Sequence, residues 1–196
     1  MIEVSEQVVQ QINIADYLLE NLSKADPCAI VAGGAPRDWK LGQPARDLDI
    51  YIYLGGGRLT ASQEQSWLER LLGVKLSRIE QRCTETYKLN PHIHRVWKGN
   101  YEGLDFDIIV CNHDTRSINI VNTFPIGLCQ AWYKGGSIRT TKKFRIDAKF
   151  KLLTKYGELY ADSSKYITKI RSKFPDNTYV SSPEKLLDIL VEVDDD

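Results

Sequence analysis

Residues 28–53 read CAIVAGGAPRDWKLGQPARDLDIYIY, and the reading of this stretch decides the fold. It opens on a short apolar run, turns at Gly33-Gly34, passes through a charged helical segment and returns as a run carrying Asp47 and Asp49. Alternate residues of an extended strand share a face, so Asp47 and Asp49 project together while Leu48, Ile50 and Ile52 line the buried side. Two carboxylates held side by side repel unless a cation lies between them. Oxygen-only ligands suit Mg²⁺ or Mn²⁺, which take one or two carboxylates, keep several waters and accept substrate phosphates. The paired glycines let the backbone approach a phosphate closely, and the helix that follows aims its first amides at the same anion.

Working outward, residues 2–23 carry Val4, Val8, Ile12, Ala15, Leu18, Leu19 and Leu22 at helical spacing and predict an amphipathic packing helix. Asp26-Pro27 breaks it, residues 28–32 form a first buried strand, 35–41 two helical turns closed by Gly42, and 46–53 the second strand. Thr60 with Gln63 three residues on, an apolar face and Gly73 mark a helix over 60–72. Strands are expected at 74–79, 85–89 and 93–97, the last forming a hairpin with 104–111 around 100–103. A short helix is expected within 115–123, a hairpin of 126–133 with 136–140, and a polar helical pattern from Phe144, clearest over 160–174. Ser182-Pro183-Glu184 opens a last helix.

The 196 residues suffice for one buried core. One domain is expected over 1–196, with 158–196 a C-terminal helical extension. With 42% apolar and 27% charged residues and a formal net charge of zero, the chain has no global field directed at nucleic acid. Locally, residues 134–155 hold eight Lys or Arg against Asp147 alone, a solvated face or a surface for an RNA backbone. Cys28, Cys83, Cys111 and Cys129 are widely spaced without a CxxC pair, which favours buried reduced thiols over disulfides or zinc. The polar first residues and the lack of an apolar run of about 20 residues lead to the expectation of a cytoplasmic protein without membrane contact.

A third acid is supplied by the run LDFDIIV, residues 104–110. Asp105 and Asp107 share a face, and an acid in so apolar a strand is costly to bury without a partner. Asp107, flanked by Phe106 and Ile108, is the stronger candidate ligand; Asp105 is equally well explained as the wet face of a hairpin.

The run GGAPRDWKLGQPARDLDIYI together with the LDFDIIV strand resembles the polymerase-beta-like nucleotidyltransferase superfamily, in particular the head domain of CCA-adding enzymes and poly(A) polymerases. The resemblance covers under a fifth of the chain. It implies an α/β (α+β) nucleotidyltransferase fold: a short mixed sheet with helices on one face and the active face open. It also implies that Gly33 and Gly34 bind the triphosphate of an NTP, that Asp47 and Asp49 hold Mg²⁺ or Mn²⁺, and that Asp107, or Asp105, is the third metal-binding acid. Arg37 and Asp38 match the family's RD pair. For Arg37 this implies phosphate contact or bracing of the glycine turn, with a helix-surface ion pair as the alternative. Arg46 would neutralise triphosphate or screen the aspartates. NTFPIGLCQ and the RSKFPD helix are similar to small stand-alone, phage-encoded nucleotidyltransferase-like proteins. No clear EDxxR base-reading motif or long helical body is evident, so CCA synthesis itself is not expected.

The implied activity is transfer of an NMP from an NTP to a hydroxyl acceptor. An RNA 3′ end, with tRNA in view, is favoured by the basic segment over a protein hydroxyl or a small molecule. Two rivals stand beside it: a DxD nucleotide-sugar glycosyltransferase, and a non-catalytic binding or inhibitor protein built on the same fold. A dinucleotide-binding fold fits worst, because GGAPRD is not GxGxxG and the aspartates would face the pyrophosphate.

Overall fold

The computed structural model describes residues 5–55, 59–79, 92–112, 117–157 and 163–186. The amphipathic amino-terminal segment forms helix α1 (Glu6–Ser23), capped by the Ser5 hydroxyl, and buries Val8, Ile14, Ala15, Leu18, Leu19 and Leu22. Strand β1 (Ile30–Ala32) leads through Gly33 into α2 (Gly34–Lys40), and β2 (Asp47–Ile52) follows. The Asp26 carboxylate accepts from the backbone amides of Cys28 and Tyr53 at 2.8 and 2.9 Å, joining the start of β1 to the end of β2. Helix α3 (Ala61–Leu72) has the full capping box, with Thr60 and Gln63 satisfying each other's amides, and stops at Gly73 in the left-handed conformation.

Strands β3 (Ser77–Arg78), β4 (Ile93–Tyr101) and β5 (Leu104–Cys111) follow. The β4–β5 hairpin extends further than expected, because Glu102 and Gly103, both at positive φ, complete the turn by themselves. Then come α4 (Ser117–Asn122), a 3₁₀ turn at Gly127–Cys129, β6 (Ala131–Lys134), β7 (Ser137–Thr140), α5 (Lys142–Phe150), β8 (Leu152–Thr154), α6 (Ser163–Lys173) and β9 (Thr178–Val180).

Seven strands form one sheet in the order β3-β4-β5-β2-β1-β6-β7, and β8 pairs with β9 in parallel outside it. Among the described residues of the large sheet, only β2 and β5 run parallel. Leu48, Ile50, Ile52, Phe106 and Ile108 pack with α1 and α3 into the main core. Glu64 of α3, 2% exposed, accepts from Trp97 Nε1 at 2.6 Å and Arg95 Nη1 at 2.9 Å, fastening that helix to β4. On the opposite face Ile30, Ala32 and Val121 form a smaller cluster with Tyr51, Phe124 and Trp132. This is a mixed α/β fold built on a largely antiparallel sheet. Among the described residues, no helix is long and apolar enough to cross a membrane.

Several local expectations are revised. The strand anticipated over 126–133 is a 3₁₀ turn followed by β6. Asp147, fully buried, accepts from the amides of Leu128 and Thr154 at 3.0 Å each and so bends the chain there. The continuous helical pattern from Phe144 is interrupted: Lys151 adopts φ 52° and ends α5, and β8 and β9 are three-residue strands too short to show a period. The strand at 74–79 contracts to Ser77–Arg78. Cys28 is exposed rather than buried, whereas Cys111 and Cys129 are buried thiols. The strand expected at 85–89, Cys83 and most of the last helix lie outside the described residues.

Two outcomes follow. A Cβ on Gly99 would lie 2.3 Å from the buried Phe106 Cζ, so Gly99→Ala is expected to lose about 2 kcal/mol or more of unfolding free energy by chemical denaturation. Burial pushes the Asp147 carboxyl up despite the hydrogen bonds from the Leu128 and Thr154 amides, so between its unfolded and folded values the native state holds a proton that the unfolded chain has released. Stability from this group is therefore complete below about pH 4 and is lost as pH rises through its raised folded value. Urea titrations of the wild type and Asp147→Asn should show the difference between them shifting in favour of the Asn variant across that window.

Candidate active site

The site is set by the parallel ladder between β2 and β5, in which Asp47 pairs with Asp105 and Asp49 with Asp107. Paired Cα atoms in neighbouring strands lie about 4.8 Å apart and their side chains point the same way, so four carboxylates occupy one patch of the face away from α1 and α3. Asp47, Asp49 and Asp107 are half-buried and Asp105 is exposed. The intervening Leu48, Phe106, Ile50 and Ile108 are wholly buried, which holds the acids outward.

Three groups answer this negative charge. Arg46 donates to Asp47 Oδ2 from Nε at 2.9 Å and Nη2 at 2.5 Å. Its guanidinium is held above its ordinary pKa by the hydrogen bond to and charge of Asp47, then by Asp49 and Asp107, so one cation feels three of the acids. On β4, Lys98 lies opposite Asp107 and Asn100 opposite Asp105. Asn100 donates to Asp105 Oδ1 at 2.8 Å, and Lys98 Nζ is 3.8 Å from Asp105 Oδ2.

Gly33 closes the patch. Its φ of +86° is open to glycine at little cost, and a Cβ there would stand 3.6 Å from the Phe124 ring and 3.9 Å from Asp49 Oδ2. The glycine turn and the second acid are therefore immediate neighbours. Gly33 N also donates to Ala131 O at 2.9 Å, tying the turn to β6. Tyr51 packs against Phe124 with ring centroids 5.6 Å apart. Burial, and after it the charge of Asp49, holds the Tyr51 phenol well above its usual range, so it stays neutral beside the acids.

Behind the turn, Arg37 is 7% exposed and Asp38 3%. Arg37 Nε donates to Asp38 Oδ1 at 2.8 Å, Nη1 to Cys129 Sγ at 3.3 Å, and the guanidinium carbon lies 5.0 Å from the Phe174 ring centroid. Burial works against its charge, but Cys129 and then Asp38 outweigh it and hold its pKa above the usual value. On the other side of α2, Trp39 Nε1 donates to Gln11 Oε1 at 3.0 Å. The same Gln11 amide takes and gives hydrogen bonds with the Ala45 backbone at 2.8 Å each.

Hard oxygen donors on a rigid strand pair match the chemistry of Mg²⁺ or Mn²⁺. Among the described residues no three Asp, Glu, His or Cys side chains form a ligand cage. The donor set fits an ion that draws part of its shell from substrate phosphates and water, as Mg²⁺ does. Asp47, Asp49, Asp107, Asp105, Gly33, Gly34 and Arg46 all lie at this patch or its rim, while Arg37 lies behind it. Sequence reasoning did not assign Lys98, Asn100, Phe124, Cys129, Lys173 or Phe174 to the site. The last four sit in NTFPIGLCQ and RSKFPD, stretches singled out on resemblance alone.

No protein-family model and no curated protein matches the sequence. Among solved structures, a CCA-adding enzyme in complex with ATP superposes with a TM-score of 0.63 at 19% identity, over 97% of this chain and 45% of that one. The Thermotoga maritima CCA-adding enzyme complexed with tRNA gives 0.61 at 19% identity, over 97% and 45%. A tRNA-processing enzyme in its apo form gives 0.58 at 16%, over 98% and 49%. The chain thus shares its fold with these proteins and spans under half of their length.

Because Arg46 occupies Asp47, Arg46→Ala is expected to tighten Mn²⁺ binding a few-fold at low salt, measured by calorimetry without nucleotide. The gain should shrink as ionic strength screens the exposed arginine.

Proposed function

We propose that the protein is a metal-dependent nucleotidyltransferase that moves an NMP from an NTP to a hydroxyl acceptor, with the 3′ end of an RNA such as a tRNA as the favoured acceptor, in a cytoplasmic setting. The observation that carries this reading is the in-register pairing of Asp47-Asp105 and Asp49-Asp107 directly beside the Gly33 turn. The fold shared with CCA-adding enzymes, one of them in complex with ATP and one with tRNA, supports it.

In this reading Asp47, Asp49 and Asp107 hold the divalent ions, which when bound neutralise charge at the reacting phosphate and lower the pKa of the acceptor hydroxyl. The backbone of Gly33 and Gly34 carries the triphosphate. Asp107 takes the role of third acid over Asp105, because it faces Asp49 and is half-buried, while Asp105 is exposed and pairs with Asp47. The acceptor oxygen forms a bond to the α-phosphorus as the bond to the bridging oxygen breaks. Pyrophosphate leaves with that electron pair, and the hydroxyl proton passes to Asp107 or to water. Arg46 is free to turn from Asp47 toward the triphosphate, since its side chain is 72% exposed. Arg37, buried and engaged on three sides, braces the turn rather than touching phosphate.

A non-catalytic binding protein on the same fold is the second reading, favoured by the cation already seated on Asp47. A nucleotide-sugar glycosyltransferase is disfavoured by the glycine turn lying against Asp49. Incubation with each labelled NTP, Mg²⁺ and total cellular RNA separates these. Transfer of label into RNA is expected, and Asp47→Asn or Asp49→Asn should each lower it roughly 10²-fold or more with the fold retained. Undiminished incorporation in a folded double variant overturns the assignment.

A further inference from the structure

Helix α2 has seven residues, far short of the roughly 12–15 needed for a helix to be even marginally stable alone. Its orientation, and with it the position of Gly33 against Asp49, must be imposed by what it touches. One side is held by α1 through Gln11 and Trp39. The other is held from the carboxyl-terminal part of the chain. Lys173, the last residue of α6, places Nζ 2.5 Å from Asp38 Oδ2, and Phe174 lies under the Arg37 guanidinium. Further up the same helix, Tyr166 donates its hydroxyl to Cys129 Sγ at 3.5 Å, the sulfur that also receives Arg37 Nη1. Ile170 is buried among Ile126, Leu128, Cys129, Phe144 and Leu153. Helix α6 therefore contacts the 3₁₀ turn with its middle and α2 with its end. Asp38, almost fully buried, lies between two cations, one from each helix.

We propose that α6 is the strut that sets the nucleotide-binding turn, with Lys173 and Phe174 as positioning residues, and that nucleotide binding and α6 docking reinforce each other. This rests on the nucleotidyltransferase reading. Any ligand that requires Gly33 and Gly34 in this position binds only the docked arrangement, so docking raises nucleotide affinity and bound nucleotide must stabilise docking in return. Helix α6 and Phe174 are then part of the catalytic unit and not an appendage to it.

The full-length protein tests this with Mg·ATP, and with the other three Mg·NTPs if ATP is not the substrate. Bound nucleotide should slow amide exchange across residues 163–174 in the wild type. Lys173→Ala and Phe174→Leu should each weaken nucleotide binding roughly tenfold, raising KM with kcat nearly unchanged. Mn²⁺ binding without nucleotide should stay as in the wild type, and Lys173→Arg should restore affinity. If the wild type binds no Mg·NTP, the nucleotidyltransferase reading itself fails. If it binds while α6 exchange does not change, or both variants bind as tightly as the wild type, the strut alone is overturned. A parallel loss of Mn²⁺ binding would mark general loosening of the fold and overturn it equally.

Discussion

The register of the parallel β2–β5 ladder is the constraint on which the rest depends. The same alternation turns Leu48, Ile50, Ile52, Phe106 and Ile108 into the core and four aspartates out of it. Burial of each apolar side chain is worth about 1.5–3 kcal/mol, and a slip of one residue would exchange the two sets. The core thus holds in place a cluster of like charges that would otherwise separate. Its repulsion is eased by Arg46, Lys98 and Asn100, which take Asp47 and Asp105, the pair nearer the start of the two strands. Asp49 stands beside the glycine turn, and Asp107 is its partner across the ladder.

Around this ladder the molecule uses buried polar contacts as fasteners. Glu64 joins α3 to β4, Gln11 joins α1 to α2 and to the segment before β2, and Asp147 joins α5, β8 and the 3₁₀ turn. In the first two, several donors or acceptors converge on one buried side chain, an arrangement costly to leave half-made. Of the three, Gln11 lies on the path from β1 through α2 to β2. The acids are presented by a strand pair with apolar backing, whereas the glycine turn is held by side chains from remote parts of the chain.

Local chemistry was legible where a few consecutive residues suffice. The Thr60/Gln63 capping box and the Gly73 stop mark α3, and DLDIYI reads directly as a strand with one polar and one apolar face. Legibility failed where a distant partner decides. Residues 126–133 read as one strand, but Asp147 bends 127–129 into a turn ahead of β6, and β8 and β9 are three-residue strands that pair with each other. For Arg37 and Asp38 the sequence left bracing of the turn, phosphate contact and a surface ion pair open; the pair is buried, with α6 placing Lys173 on Asp38.

The sequence by itself determined the kind of site: a glycine pair, an Asp-Leu-Asp strand and a further acidic strand, since strand periodicity and glycine's conformational freedom act over only a few residues. Tertiary structure decided which acid stands beside which, that Asp107 rather than Asp105 faces Asp49, and that the far end of the chain supports the glycine turn. Those are properties of strand register and helix docking between segments up to 135 positions apart, and no local pattern encodes such a pairing.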